Sequence, residues 1–451
     1  MARVIPFIGT HYNPGAIDDI ANVVAPPYDV ISPEQQEALY DKSEHNIVRL
    51  ILGKEDIEDD DYANKYERAA AMLRDWKAQG VLLDEDSKAF YIYEEEYQTP
   101  DGKTHKRTGF FAAIKLEKPG EGRIHAHENT FAGPKADRLK LMRATHSNLS
   151  PIFCLYSDKN GETDKLIENF KLKNKPRYEM TDIDNVTHRL WVMNNGPEIK
   201  KLSDMMQDQD FFIADGHHRY ETAWRYYQEM KEESEASDTE RRAAAYTLAV
   251  LTNCESEGLQ ILPTHRVLSS DMTGDASPEE VVEDLQEFFD LSPLDIDMKN
   301  PGKNATSIMK KLTELGKQSN AFAMVLSDGQ GFYLTRKDDD QIYEEMPDDL
   351  DPKLARLDVS ILHHYIIQRV WIGNPEMELD DSDIFYVKDA TAALNMIKAP
   401  TRAAAVFLMN GPTMGQVQDI AGNNLRMPHK STYFYPKLLT GLVLRDHTAA
   451  K

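Results

Sequence analysis

Asp215, Gly216, His217, His218 and Arg219 form one unbroken run, and each side chain in it is of a type that handles phosphate or protons. Arg offers a fork for paired oxygens, imidazoles exchange protons near neutrality, and a carboxylate serves as a base or a metal ligand. The run follows Phe211-Phe212-Ile213-Ala214, a short apolar strand. It leads into Tyr220, Ala223, Trp224 and Tyr227 at i, i+3, i+4 and i+7, which predicts a helix with one buried face. Gly216 supplies the tight entry turn. His217, His218 and Arg219 then crowd the first helical turn, where the macrodipole is positive and each cation is disfavoured by about 0.3–1 kcal/mol. An anion bound there removes the conflict, because the free N–H groups of a helix N-terminus bind phosphate oxygens. The alternative is a strand-turn-helix whose polar residues simply face water.

Further groups of the same character stand elsewhere. His125, His127 and Glu128, followed by Asp137 and Arg138, offer imidazole and carboxylate donors for a divalent metal, although the spacing is not that of a helical zinc site. The same residues also fit a solvated loop leading into a helix near Pro134. His265-Arg266 adds a second cationic pair. Lys430, Ser431 and Thr432 place a point charge beside two hydroxyls, and Tyr433, Phe434 and Tyr435 are aromatics able to stack on a base. Tyr28-Asp29 ends an arm stiffened by Pro26-Pro27 and is placed to line a site. Gly102-Lys103-Thr104 is not a P-loop, since Tyr97 stands where the first glycine belongs and the context is a hairpin. No Rossmann glycine fingerprint, zinc knuckle or serine nucleophile elbow is present.

The elements that position these groups are legible from their punctuation. Ser32-Pro33-Glu34-Gln35 predicts a helix start with Ser as cap, Pro at the first helical position and Gln at N3. A second helix is predicted from about Tyr62 to Gln79, with Gly80 closing it. Residues 89–117 predict two strands around Thr99-Pro100-Asp101-Gly102. Strands at Ser150–Tyr156 and His188–Met193 alternate with helices at Asp164–Leu172 and Glu198–Met206. That alternation predicts an α/β core with the central turn at a strand's carboxyl end, where such folds bind ligands. Lys231–Arg242 reads as a solvated loop and Ala243–Thr252 as a buried strand. Beyond it, Ser277–Thr335 predicts two helices and then a strand hairpin around Asp328-Gly329. An acidic linker is expected over Lys337–Pro352 and a helix over Leu357–Val370. Strands at Ile384–Val387 and Ala404–Met409 complete the pattern, with helices near Ala390–Met396 and Met414–Ala421.

Length and composition bound the function. The 451 residues allow two or three domains at roughly 150 residues each. The expected division is an N-terminal α+β domain over 1–160, a central domain with the turn over 161–268, and a C-terminal α/β domain over 269–451. A net charge of -24 repels phosphate backbones, so nucleic acid is not an expected partner. Cys154 and Cys254 are too few for a disulfide framework and suit a reducing cytoplasm. The strongest apolar run, Ala243–Leu251, is far short of the ~18 residues a membrane span needs. A cytoplasmic protein is expected; the sequence does not set its oligomeric state.

Several of these stretches also carry a resemblance. Asp-Gly-His-His-Arg is similar to the motif of the free serine kinases, grouped with the ParB proteins and sulfiredoxin in a phosphate-binding superfamily. More extensively, the chain resembles the family called domain of unknown function 1015. The match runs through Ala25-Pro26-Pro27-Tyr28-Asp29-Val30-Ile31, Asn46-Ile47-Val48-Arg49-Leu50, His127-Glu128, Asp137-Arg138-Leu139, the central string, Leu262-Pro263-Thr264-His265-Arg266 and Met427–Lys437. His429 stands where a Gln or a small residue is expected. The resemblance implies a ParB/sulfiredoxin-like core carrying additional α/β units, with ATP or ADP and Mg²⁺ as cofactors. It suggests a nucleotide-dependent phosphotransferase on a small hydroxy compound, serine or phosphoserine, working in either direction. Gly216, His217, His218 and Arg219 would hold phosphates, Asp215 or Glu128 would take the hydroxyl proton, and Lys430 would neutralise charge. The alternatives are a ParB-like nucleotide-binding regulator and a non-catalytic metabolite-binding protein.

Overall fold

The computed structural model describes residues 3–99, 102–194, 196–270, 272, 277–338, 340–377, 383–398 and 403–449. The chain divides into two compact units: residues 1–126, 130–260 and 436–451 form one, and residues 127–129 and 261–435 the other. Both mix helices with sheet.

The first unit is built on a mixed sheet, nine-stranded among the described residues. Its order is Ile124–His125, Phe211–Asp215, Ile152–Tyr156, Tyr246–Asn253, Thr104–Lys115, Phe90–Gln98, Thr187–Met193 and Tyr178–Thr181, with Val4–Ile5 also paired to Thr104–Lys115. The alternation of strands and helices predicted α/β, but most neighbours here run antiparallel; Phe211–Asp215 with Ile124–His125 and Tyr246–Asn253 with Ile152–Tyr156 are the parallel pairs. The sheet draws strands from both sides of the expected boundary at residue 160. Ile152–Tyr156 is buried throughout, as an apolar run with no alternation should be when both faces are covered.

Local signals explain most element ends. Ser32 Oγ accepts the Gln35 amide and Gln35 Oε1 accepts the Ser32 amide, completing the capping box over Pro33–Lys42. The next predicted helix starts at Lys65 rather than Tyr62, because Asn64 Oδ1 accepts the amides of Tyr66 and Glu67. In the predicted hairpin, Pro100 and Asp101 lie outside the described residues, while the flanking strands pair from Gln98 opposite Thr104 inward. The predicted loop over Lys231–Arg242 is corrected. Asp238–Ala244 is helical, started by a Ser237/Glu240 capping box and carrying acids in its first turn and Arg241 and Arg242 in its last.

The second unit carries a separate antiparallel sheet in the order Phe289–Pro293, Gly331–Arg336, Ala321–Leu326, Ala405–Met409, His265–Leu268 and Ile384–Val387. Helices Ala305–Leu315 and Ala390–Met396 cover it, burying Ile308, Leu312, Ala393 and Leu394 in its core. Phe289–Pro293 was not anticipated: it is short and ends in proline, which a sheet tolerates at an edge. The acidic stretch 337–352 includes a helical turn at Asp340–Glu345 with Ile342 fully buried, so part of it is anchored rather than a free linker. Among the described residues no helix is long and apolar enough to cross a membrane.

Candidate functional site

Strand Phe211–Asp215 stops at Asp215, Gly216 turns the chain with φ +90°, and helix His217–Glu232 begins at once. The predicted face is buried through Tyr220 and Ala223. The helix also packs Tyr226 and Met230 into a second small cluster with Leu139 and Ala244, so it is covered on more than one side. Among the described residues no side chain caps its N-terminus. A Cβ on Gly216 would stand 3.0 Å from Arg219 Cζ and 3.1 Å from its Nε and Nη2, in backbone that side chains avoid. Gly216→Ala is therefore expected to cost about 1–2 kcal/mol and to displace Arg219, read as a lower Tm with weaker phosphate binding in the folded protein.

The electrostatic conflict seen in the sequence is partly resolved inside the protein. Arg219 Nη2 donates to Asp215 Oδ2 at 2.5 Å, its Nη1 donates to the Pro151 carbonyl, and its side chain is 9% exposed. Lys437 Nζ donates to Asp215 Oδ1 at 2.6 Å. Burial alone would raise the Asp215 carboxyl, but the charges of Lys437 and Arg219 outweigh it and hold the group well below the usual carboxylate range. His218 is kept from charging mainly by burial; its Nε2 accepts the Phe131 amide at 2.9 Å and its ring stacks on Phe131. Asp215 thus faces two fixed cations at an uncapped helix N-terminus, with Asp29 and Glu221 acting on His218 in the same turn.

The neighbouring expected residues are held by structural contacts. The Arg138 guanidinium lies 4.0 Å from the Tyr28 ring centroid, with Nε on Asp137 Oδ2 at 2.8 Å and Nη1 on the Ile51 carbonyl at 2.6 Å. Tyr66 donates to the other Asp137 oxygen at 2.7 Å. Burial raises the Tyr28 phenol, as does Asp29. Tyr28, Arg138, Ser150, Arg219, Thr222 and Thr247 help line a cavity of about 40 Å³, room for a few waters and too small for a nucleotide. Sequence reasoning passed over Lys437, although it quoted the stretch containing it, and the Glu221 cluster, where Thr130 and Lys135 donate to Glu221 Oε2 at 2.7 and 2.9 Å. The i+4 spacing of Asp215 and Arg219 was readable; a partner more than two hundred residues away was not.

The remaining expected residues belong to the second unit. His127, fully buried, meets Thr432 Oγ1 through Nε2 at 2.9 Å, and Thr432 donates to Glu128 Oε1 at 3.0 Å. The Met427 amide donates to the His127 carbonyl at 2.7 Å, so residues 127–129 pair with the segment ahead of Lys430. Lys430 adopts φ +53°, unusual outside glycine. Its Nζ and the Arg266 guanidinium lie 4.4 and 4.5 Å from the Tyr386 ring centroid, and Arg266 Nη2 donates to the Lys430 carbonyl at 3.2 Å. Ser431 is buried and donates to the Pro428 carbonyl at 2.5 Å. Burial brings the Arg266 guanidinium down to about 10. Burial, with Arg266 beside it, brings His265 down to about 3, and His363 is held at about 4 chiefly by burial. Among the described residues no cluster of three or more His, Cys, Asp or Glu is arranged to hold a metal, so His125, His127 and Glu128 form no such centre.

Those two histidines make stability pH-dependent. Both have folded pKa values below the unfolded value of about 6.5, so unfolding takes up protons and stability falls as pH drops from about 6.5 towards 4. At pH 5 each contributes up to about 2 kcal/mol of destabilisation relative to pH 8. Urea melts at the two pH values are expected to show this loss reduced in His265→Asn.

No curated protein matches the chain significantly. Among solved structures, a free serine kinase in complex with AMP is 13% identical with a TM-score of 0.31, covering 71% of this chain and 89% of that one. A conserved hypothetical protein from Pyrococcus furiosus is 13% identical with a TM-score of 0.32, covering 74% and 100%. Superpositions this loose carry no argument about this chain. The profile of the family described as protein of unknown function DUF1015 matches residues 4–360, and the chain belongs to that family.

Proposed function

We propose that the chain is a nucleotide-dependent phosphotransferase acting on a small hydroxy compound, serine or phosphoserine being the candidates its sequence motif suggests. The observation that carries this reading is the turn at Asp215-Gly216: an uncapped helix N-terminus entered through a left-handed glycine, with Lys437 and Arg219 flanking Asp215. Backbone N–H groups and fixed cations are what phosphoryl transfer needs most, since its catalysis is mainly positioning and charge neutralisation. ATP or ADP phosphates would sit on the amides of 217–219. Mg²⁺ binds chiefly through substrate phosphates and one or two carboxylates, so it requires no protein cage; Asp215 is the carboxylate nearest that turn.

The acidity of Asp215 refines its role. A carboxylate held that far below neutrality is a weak proton acceptor, which favours Asp215 as the charge that orients Lys437 and Arg219 rather than as the acceptor of the hydroxyl proton. In the second unit, Thr432 and the Arg266–Tyr386–Lys430 stack are proposed as an anion-binding set of its own, with Glu128 holding the Thr432 hydroxyl. Lys430→Gly keeps the left-handed turn and deletes the ammonium. It is expected to weaken inorganic phosphate binding to that set about fivefold to tenfold by calorimetry without lowering Tm, the loss of roughly one charge-assisted hydrogen bond.

The same acidity favours a second reading, a protein that binds a nucleotide or metabolite without turnover. Incubating the chain with Mg²⁺, ATP or ADP and a panel of hydroxy acids separates the two: a new phosphoester supports transfer, and tight nucleotide binding with no product supports the sensor.

A further inference from the structure

Glu95, Arg107 and His188 lie abreast on three adjacent strands, Glu95 being the register partner of both the others. Glu95 and Arg107 are each 1% exposed. Arg107 Nε donates to Glu95 Oε2 at 2.7 Å. Tyr93 donates its hydroxyl to the other Glu95 oxygen at 3.3 Å, and that hydroxyl meets His188 Nδ1 at 2.7 Å; His188 Nε2 reaches Asp182 at 3.0 Å. An apolar pair of similar volume often stabilises such a position as well as a buried ion pair does. The buried Arg107 Nη1, moreover, has no hydrogen-bond partner among the described residues, which is a further penalty. Stability alone does not account for the row.

What the row holds is the segment that re-enters this unit at Pro436. Arg107 Nη2 donates to the Pro436 carbonyl at 2.5 Å, and the Tyr93 phenol lies near the backbone amide of Leu439, which partly offsets the rise that burial imposes on it. Lys437 follows the Pro436 grip directly and presents its ammonium to Asp215. We propose that Tyr93, Glu95 and Arg107 form a clamp on Pro436–Leu439 that positions Lys437 against Asp215. Arg107 and Tyr93 act as positioning residues through Lys437, and Glu95 orients the guanidinium. The relevance of the clamp to phosphoryl transfer rests on the reading of the turn given above; the clamp itself does not.

The test is competitive acylation of lysines in the full chain by an acetyl ester at neutral pH, read by mass spectrometry. Lys200, whose side chain is 84% exposed, is the internal reference. In Arg107→Met combined with Glu95→Gln, Lys437 is expected to acylate about tenfold faster than in wild type, the factor for loss of roughly one charge-assisted hydrogen bond, with Lys200 unchanged. Tyr93→Phe keeps the ring and removes only the hydroxyl; it is expected to accelerate Lys437 by a smaller factor. A merely structural role lowers Tm and leaves the Lys437 rate of the folded protein unchanged, and that result overturns the proposal. If the double variant does not fold, Tyr93→Phe decides alone, and an unchanged Lys437 rate overturns the clamp. Faster Lys437 acylation, with no phosphoester formed even by wild type, supports the clamp and refutes the phosphotransferase reading, so the two failures are distinct.

Discussion

Asp215→Asn is expected to abolish phosphoryl transfer, by about 10²- to 10⁴-fold in kcat, while nucleotide affinity stays level or rises. The amide removes the negative charge that Lys437 and Arg219 share, so the site becomes more cationic and holds phosphate no less tightly. The transition state loses more, because the same two cations are no longer held in a fixed direction by a charge between them. Asn still offers a carbonyl oxygen to one cation, so the expected stability loss is about 1–3 kcal/mol and the variant remains folded at low temperature. Turnover equal to wild type in a folded Asp215→Asn protein would contradict the proposed role, whatever its nucleotide affinity. Acid should mimic part of the substitution. The depressed Asp215 pKa means that its ion pairs stabilise the fold above the unfolded value of about 3.9, and that contribution is lost as pH falls below it.

The second large effect is expected at Arg219. Its guanidinium joins the Pro151 carbonyl to Asp215 from a side chain that is 9% exposed, so Arg219→Met leaves a buried carboxylate with Lys437 as its remaining charged partner. Breaking a buried pair from one side costs about 3–5 kcal/mol, and the thermal melt should shift accordingly. Arg219→Lys separates charge from shape: an ammonium restores the charge but cannot fork between Asp215 and the Pro151 carbonyl. It should recover less than half of the lost stability. Full recovery would show that charge alone matters there and that the fork does not organise the turn.

Much of this was legible in the chain, and the limits follow from range. The strand, the glycine turn and the helix at 211–232 are set by local signals, so period, glycine and i,i+4 spacing located them, as Ser32 and Gln35 located the helix over Pro33–Lys42. The helix at Asp238–Ala244 was mistaken for a loop because its charge dominated the reading, although its Ser237-x-x-Glu240 box was present. The edge strand Phe289–Pro293 alternates over only five residues and ends in proline, and its partner Gly331–Arg336 makes it a strand. Range also hid the real partners of the candidate residues. Arg219 was expected to offer its fork to a ligand, yet both its Nη atoms are engaged by Asp215 and Pro151. Lys437 meets Asp215 from the far end of the chain, and Arg107 meets Pro436 in the same way. The three crowded residues that pointed to an anion, His217, His218 and Arg219, are in part answered from within the protein. The lasting argument for phosphate at this turn is the uncapped N-terminus with Arg219 and Lys437 fixed beside it.

Phosphorus NMR of the purified chain with Mg²⁺, ATP or ADP and a panel including serine and phosphoserine tests the central claim most directly. The account expects a new phosphoester resonance, or the loss of one, in wild type and not in Asp215→Asn. Nucleotide binding with no change in any phosphorus signal would contradict phosphoryl transfer and leave a nucleotide or metabolite sensor in its place.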